Sequence, residues 1–329
     1  MPSPHSPIAS SDAVRSRGWQ LGVAAVLAGI GFAFSGALVD LGQLWTRKAD
    51  YSHGLLAVPF AAYLLWVRRD RFPAAIRWPD SMGLPLFAAA AGLYFGAGRL
   101  NVAKEWLQAF AVVVALAGVA VMFCGRWQGL KWAWPALAFP VLAFELPYRV
   151  EATLSLKLRE IATAAGNAAF QLAGLPSYAE GNVIVIGDTR LGVEQACSGL
   201  SMLLTFVAVT AAVALLARSR PVADRAFVFL SAIPIAVVCN IGRIVGTGLV
   251  YRAGWTEVGN LIVHDLFGWL MMPVALAMIW AEFRIIDWLL VPEERADAGQ
   301  LFQATIRASG RVPAVEKRAE LPVPTGARR

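Results

Sequence analysis

Residues 106–124 read WLQAFAVVVALAGVAVMFC, nineteen positions without one charged side chain. At about 1.5 Å per residue a helix of that length extends roughly 28 Å, close to the ~30 Å hydrocarbon core of a bilayer. A helix of a soluble domain keeps a polar face; this one has a single strongly polar residue, Gln108. Working outward in both directions, comparable apolar runs recur at about 20–39, 54–67, 83–98, 132–147, 199–217, 226–252 and 266–287. Together they predict an all-α polytopic membrane protein with about eight transmembrane helices. The runs at 54–67 and 132–147 are short for a span, and 226–252 is long and contains Arg243.

Composition agrees. The 329 residues are 58% hydrophobic and 16% charged, against ~25% charged in ordinary soluble domains. Mean hydropathy is +0.58. These figures exclude collagen-like, disordered, coiled-coil and disulfide-scaffold classes. The net charge of +7 comes from short basic clusters between apolar runs, a membrane pattern and not the single solvated basic face of a nucleic-acid binder, so no nucleic-acid partner is expected.

Those clusters set an orientation. Arg15 and Arg17 precede the first run, Arg68, Arg69, Arg71 and Arg77 follow the second, Arg126 and Lys131 separate the fourth and fifth, and Arg218, Arg220 and Arg225 separate the sixth and seventh. With eight spans all fall on one side, the cytoplasm by the positive-inside rule, and both termini lie inside. The division is then a cytoplasmic tail at 1–18, an integral membrane domain at 19–290 and a polar, disordered cytoplasmic tail at 291–329. No cleavable signal peptide is expected.

The largest stretch outside the runs is 148–198. Leu154, Leu158, Ile161, Ala165, Ala168 and Leu172 repeat at helical spacing, which predicts a helix lying in the outer interface with that stripe toward lipid; a weak ninth span is the alternative. The β-branched run Val183 to Ile186, followed by Gly187-Asp188, predicts a two-stranded β-hairpin returning through Arg190 to Glu194. The hairpin delivers Cys197 to the mouth of the sixth span.

Three chemistry-bearing residues then fall at one depth. Cys197 precedes the sixth span. Arg243 lies 17 residues into the seventh, about 25 Å across, and His264 directly precedes the eighth. A thiolate is a nucleophile, and a neighbouring cation keeps it charged. An imidazole protonates a leaving amine near neutral pH, and a guanidinium donates to a developing oxyanion. The set suits acyl transfer through a thioester. Asn240, one turn from Arg243, and Ser198, beside Cys197, are placed as orienting or substrate-contacting residues. His53, also on the outer side, rivals His264 as the acid–base group. Cys124 and Cys239 read as packing residues. Three scattered histidines and no HExxH give no metal site, and no phosphate- or dinucleotide-binding fingerprint is present, so no cofactor is expected.

The motifs Ala196-Cys197-Ser198-Gly199-Leu200, Asn240-Ile241-Gly242-Arg243-Ile244, His264 before the last run and the early Tyr51-Ser52-His53-Gly54 occur in the order of the exosortase/archaeosortase family. The chain resembles that family from about 20 to 290. The resemblance implies a cysteine-dependent membrane peptidase or transpeptidase with Cys197, Arg243 and His264 at its centre. Its substrates are exported proteins carrying a C-terminal sorting signal: a short motif such as Pro-Glu-Pro, one transmembrane helix and a basic tail. It also implies a bacterial inner-membrane location, an active site facing the periplasm and a link to exopolysaccharide production. The competing reading is a transporter or flippase of such a pathway. That reading predicts ionisable residues near mid-membrane and broken, repeated helices.

Overall fold

The computed structural model describes residues 17–73, 79–99, 103–193, 199–254 and 264–289; at 17, 264–269, 271, 272 and 289 it describes the backbone alone. The chain divides into two compact units, Met1–Phe283 and Arg284–Arg329. The second contributes only the last residues of the final helix to the described part.

Among the described residues the fold is helical with one small sheet. The helices are α1 (Arg17–Ala33), α2 (Ser35–Arg47), α3 (Gly54–Val67), α4 (Leu84–Ala97), α5 (Lys104–Phe123) and α6 (Trp127–Ala138). There follow α7 (Tyr148–Leu172), the strands β1 (Ser177–Glu180), β2 (Val183–Ile186) and β3 (Thr189–Gly192), then α8 (Leu200–Leu216), α9 (Val222–Leu230), α10 (Ala232–Arg252) and α11 (His264–Leu289). Seven of the eight predicted apolar runs lie, to within a residue or two, in one of these helices or helix pairs, and the run at 132–147 outlasts α6 by nine residues. Among the described residues two helices are long and apolar enough to cross a membrane: α5, and the continuous stretch Val222–Arg252 formed by α9 and α10. A third arises if α1 and α2, bent by 72°, count as one broken span. Their break at Phe34 precedes a Ser35-Gly36 pair, a usual place for a helix to kink. Several others are short for a span. α3 has 14 residues, about 21 Å, with Pro59 inside it, and α6 gives way after Ala138 to a 3₁₀ turn, Phe139–Ala143.

Expectation and structure differ in one place before α8. The hairpin is a three-stranded antiparallel sheet in the order β1-β2-β3, with Ser177 opposite Ile186 and Ile186 opposite Thr189. β1 carries no β-branched residue and is exposed, so it gave no strand signal. α7 packs on its neighbours by a face other than the stripe expected to meet lipid. Ser155, Ala162, Thr163, Gly166 and Phe170 are buried, whereas Ile161 is 50% and Leu172 90% exposed. Small side chains, not large apolar ones, make the contact, because a neighbouring backbone comes close. A Cβ on Gly166 would stand 3.2 Å from Ile244 Cγ2, and one on Gly248 would stand 2.5 Å from Phe170 Cζ. These contacts advance by four residues on both helices, so α7 and α10 run side by side in the same direction. Ile184, Ile186 and Leu191 of the sheet join Ala162, Phe170 and Ile244 in one buried cluster.

Further contacts set helix directions at the site. Arg218, just past α8, pairs with Asp70, just past α3, at 3.8 Å. The 3₁₀ turn Ala49–Tyr51 before α3 packs on α8, and Ala57 and Leu64 share a buried cluster with Ala208 and Ala211. α3 and α8 are therefore parallel, with their first residues at the same end. Thr210 Oγ1 lies 3.5 Å from Phe229 O, and Gly199 abuts Asn240. Each step down α8 is thus matched by an equal step up α9 and α10, an antiparallel pairing.

Candidate active site

α10 buries two polar side chains in an otherwise apolar helix, Asn240 at 3% and Arg243 at 8% exposure. Three residues apart, they share a face. Asn240 Oδ1 is buried and accepts no hydrogen bond among the described residues. Buried polar atoms are satisfied in the great majority of cases, so a vacant acceptor here marks a place where a further group belongs. Leu158, Ile161 and Ala162 of α7 close a small crevice over Asn240 together with Gly199 and Ala236. On α7 itself Thr163 Oγ1 and Asn167 Oδ1 are also buried without a hydrogen-bond partner among the described residues. Sequence reading missed both, since on an amphipathic helix they pass for members of the polar face.

Gly199 caps the start of α8 with φ +80°, in the left-handed region. A Cβ there would stand 2.8 Å from Asn240 Nδ2 and 3.0 Å from its Cγ. Both the turn and the contact therefore demand glycine. Arg243 lies about 4.5 Å further along α10, beyond the level of the first residue of α8.

The Tyr51-Ser52-His53-Gly54 motif lies at the same end of the parallel α3–α8 pair. Tyr51 is fully buried. Its hydroxyl accepts from the Leu146 N–H at 3.0 Å and donates to Glu151 Oε2 at 3.1 Å, joining the turn before α3 to the loop before α7 and to the first turn of α7. Burial, with the Glu151 carboxylate beside it, holds the Tyr51 phenol far above its usual pKa. His53 Nε2 is 3.3 Å from Leu142 O. Burial lowers the His53 pKa below 6.5, while the Leu142 and Asp50 carbonyls act in the opposite sense. Lys48 pairs with Glu145 nearby, and a Cβ on Gly54 would strike the Trp45 indole at 2.2 Å. Trp45 Nε1 donates to Ala143 O at 2.8 Å. The motif is thus a joint binding α2, α3 and the chain entering α7.

The remaining expected residues are placed as follows. Cys197 and Ser198 lie outside the described residues. His264 is the first residue of α11, which is fastened near its other end where Ser231 Oγ donates to Glu282 Oε2 at 2.7 Å. His264 stands 18 residues, about 27 Å, up the helix from that anchor. Cys239, read as packing, is buried at 3% exposure. Among the described residues no three His, Cys, Asp or Glu side chains are grouped to hold a metal ion.

In comparison with known families the chain matches the transmembrane exosortase family over residues 45–281. No curated protein and no solved structure matches the chain.

Proposed function

This chain belongs to the transmembrane exosortase family and is a membrane protein, and from that premise we propose that it is a cysteine-dependent peptidase or transpeptidase acting on C-terminal sorting signals of exported proteins. In this reading Cys197 attacks the scissile carbonyl. Arg243 stabilises the thiolate and then the oxyanion of the tetrahedral intermediate, and His264 protonates the leaving amine. The nitrogen departs with the C-terminal helix and basic tail of the signal. The upstream part stays on sulfur as a thioester, until water or an acceptor amine releases it. Asn240 and Ser198 orient the reacting groups. Tyr51 and His53 hold the neighbouring joint, and His53 remains the alternative proton donor. The site faces the periplasm of the bacterial inner membrane, both termini are cytoplasmic, and the activity serves exopolysaccharide-linked surface processing.

The observation that carries this reading is the seat of Gly199 on Asn240. Gly199 is two residues from Cys197, so covalent geometry keeps the two Cα atoms within about 7 Å. Asn240 is one helical turn from the buried Arg243. The end of the cysteine-bearing segment and the arginine-bearing face of α10 are therefore neighbours, although 46 residues separate Cys197 from Arg243 in sequence. Arginine is rare in apolar membrane helices and faces the bundle interior where it occurs, so the burial of Arg243 calls for a use.

Co-expression with a reporter ending in a Pro-Glu-Pro motif, one transmembrane helix and a basic tail tests the proposal. The wild type shortens the reporter; Cys197→Ala, Arg243→Ala and His264→Ala leave it intact, and a covalent adduct accumulates on Cys197 when release is slowed. Full processing by Cys197→Ala would reject the mechanism. Processing by His264→Ala but not by His53→Ala would transfer the proton-donor role to His53.

A further inference from the structure

At the end of the bundle opposite the candidate active site, an apolar slot meets a group of arginines. The slot, about 640 Å³, lies among α1, α2, α3, α5 and α6. Trp45 and Phe144 stand at one end of it, and Trp19, Arg69, Phe72 and Trp132 at the other. It follows α5 from Ala109 to Cys124, about 22 Å. A transmembrane helix, 10–12 Å across with its side chains, is far too bulky for that volume over that length; one hydrocarbon chain fits. Among the described residues that line it, Arg69 alone is charged.

The mouth beside Arg69 is strongly basic. Arg68 is clamped there by its donors, Nε to Trp132 O at 2.9 Å and Nη2 to Lys131 O at 2.9 Å, while Trp132 Nε1 returns a bond to Arg68 O at 3.0 Å. Arg218 approaches from α8 and Arg225 from α9, the latter held by Nε to Ala214 O at 2.5 Å. Burial first, then the positive charges of Arg218 and Arg71, lower the Arg68 pKa, and Arg225 acts in the same sense. Asp70, 3.8 Å from Arg218, is an acid within this group, and Asp224, beside Arg225 on α9, is buried. Arg218 Nη2 is a buried donor with no acceptor among the described residues. A buried guanidinium N–H without an acceptor, inside a group of like charges, calls for an anion.

We propose that this is a binding site for one anionic phospholipid, its phosphate held by Arg69, Arg71 and Arg218 and one acyl chain lying in the slot. Charge complementarity selects the headgroup, and the apolar slot separates a lipid from a free anion: a buried acyl chain adds affinity that inorganic phosphate lacks. Exposed Trp66, with Arg69 stacked 4.6 Å from its ring, gives the mouth the aromatic rim common at the headgroup level. The bound lipid braces α3 against α1 and α5 and ties the α8–α9 turn to them.

The full-length chain, stripped of lipid in detergent, is offered phosphatidylglycerol, phosphatidylcholine or inorganic phosphate, and the retained lipid is counted by native mass spectrometry. One phosphatidylglycerol per chain is expected to survive washing, phosphatidylcholine to wash out, and millimolar phosphate not to compete. Arg69→Gln with Arg71→Gln, both exposed and outside the core, should weaken retention on the order of 30-fold, about fivefold per arginine. Ala61→Phe, which fills the slot and leaves the arginines in place, should also release the lipid while circular dichroism shows the helices intact. Equal retention of phosphatidylcholine would overturn the site, as would displacement by inorganic phosphate or undiminished retention in both variants.

Discussion

Gly199→Ala is the sharpest test of how the cysteine-bearing segment meets α10. Two penalties act at once. An L-residue at φ +80° costs about 1–2 kcal/mol. The new methyl, 2.8 Å from Asn240 Nδ2 against an optimal separation of about 3.5–4.0 Å, adds an overpacking cost of about 1–3 kcal/mol. The single variant should therefore lose about 2–5 kcal/mol. Only the second penalty depends on Asn240. Truncation to Asn240→Ala removes the atoms at 2.8 and 3.0 Å and leaves its Cβ at 3.4 Å, an ordinary contact. In the double variant the backbone penalty persists and the steric one disappears. A double-mutant cycle on unfolding in detergent should thus show the pair less destabilised than the sum of the singles by about 1–3 kcal/mol. Additivity within about 0.5 kcal/mol would mean that Gly199 does not sit on Asn240, and the proximity of Cys197 to Arg243 would lose its support.

Three further outcomes are expected. Tyr51→Phe removes a buried hydroxyl that satisfies both Leu146 N–H and Glu151, and should cost about 1–3 kcal/mol on thermal unfolding in detergent; a shift indistinguishable from zero would show that the joint is not held there. His53 has a folded-state pKa below its unfolded value of 6.5, so the unfolded chain binds more protons in acid. Stability should be unaffected by this group above about pH 7 and should fall as pH drops below 6.5 toward the folded pKa, and His53→Gln should flatten that part of the pH–stability curve. Gly248→Ala places a methyl 2.5 Å from Phe170, a ring with no exposed surface to retreat into, and should destabilise by about 1–3 kcal/mol; a neutral result would show that α7 does not lie along α10.

The positions of the helices could be read from the sequence because hydrocarbon length and apolarity are properties of a continuous stretch. The β-branched run of β2 declared itself for the same reason. What stayed hidden depends on partners far away in the chain. β1 forms because β2 offers it a ladder, not because Ser177-Tyr178-Ala179-Glu180 prefers extension. The stripe of Leu154, Ile161 and Leu172 is a real apolar face, yet Gly166 and Ala162 decide the packing, since α10 presents Ile244 and Gly248 at close range. Hydrophobic periodicity weights large side chains and is blind to small ones that admit a neighbouring backbone. Tyr51 stood inside a quoted motif, but its hydroxyl bonds to Leu146 and Glu151 are long-range facts, 95 and 100 residues away.

Helix direction turns separate motifs into one site. If α3 ran antiparallel to α8, the turn bearing Tyr51 and His53 would lie some 21 Å from Gly199, the length of α3 itself. The Asp70–Arg218 pair argues for the parallel arrangement by joining the opposite ends. That ion pair is exposed on its Asp70 side and is worth at most about 1 kcal/mol, so it reports the arrangement without enforcing it. Enforcement falls to the apolar contacts of Ala57, Leu64, Ala208 and Ala211, small residues over most of the interface, where a change of register would leave voids or clashes. Asp70→Asn should therefore leave the fold and the joint at Tyr51 unchanged. Enlarging Ala208 or Ala211 to Leu should disturb both ends of the α3–α8 pair together, as seen by amide exchange in the 49–54 and 68–72 segments. Protection lost at one end alone would mean that the two helices do not move as a packed pair.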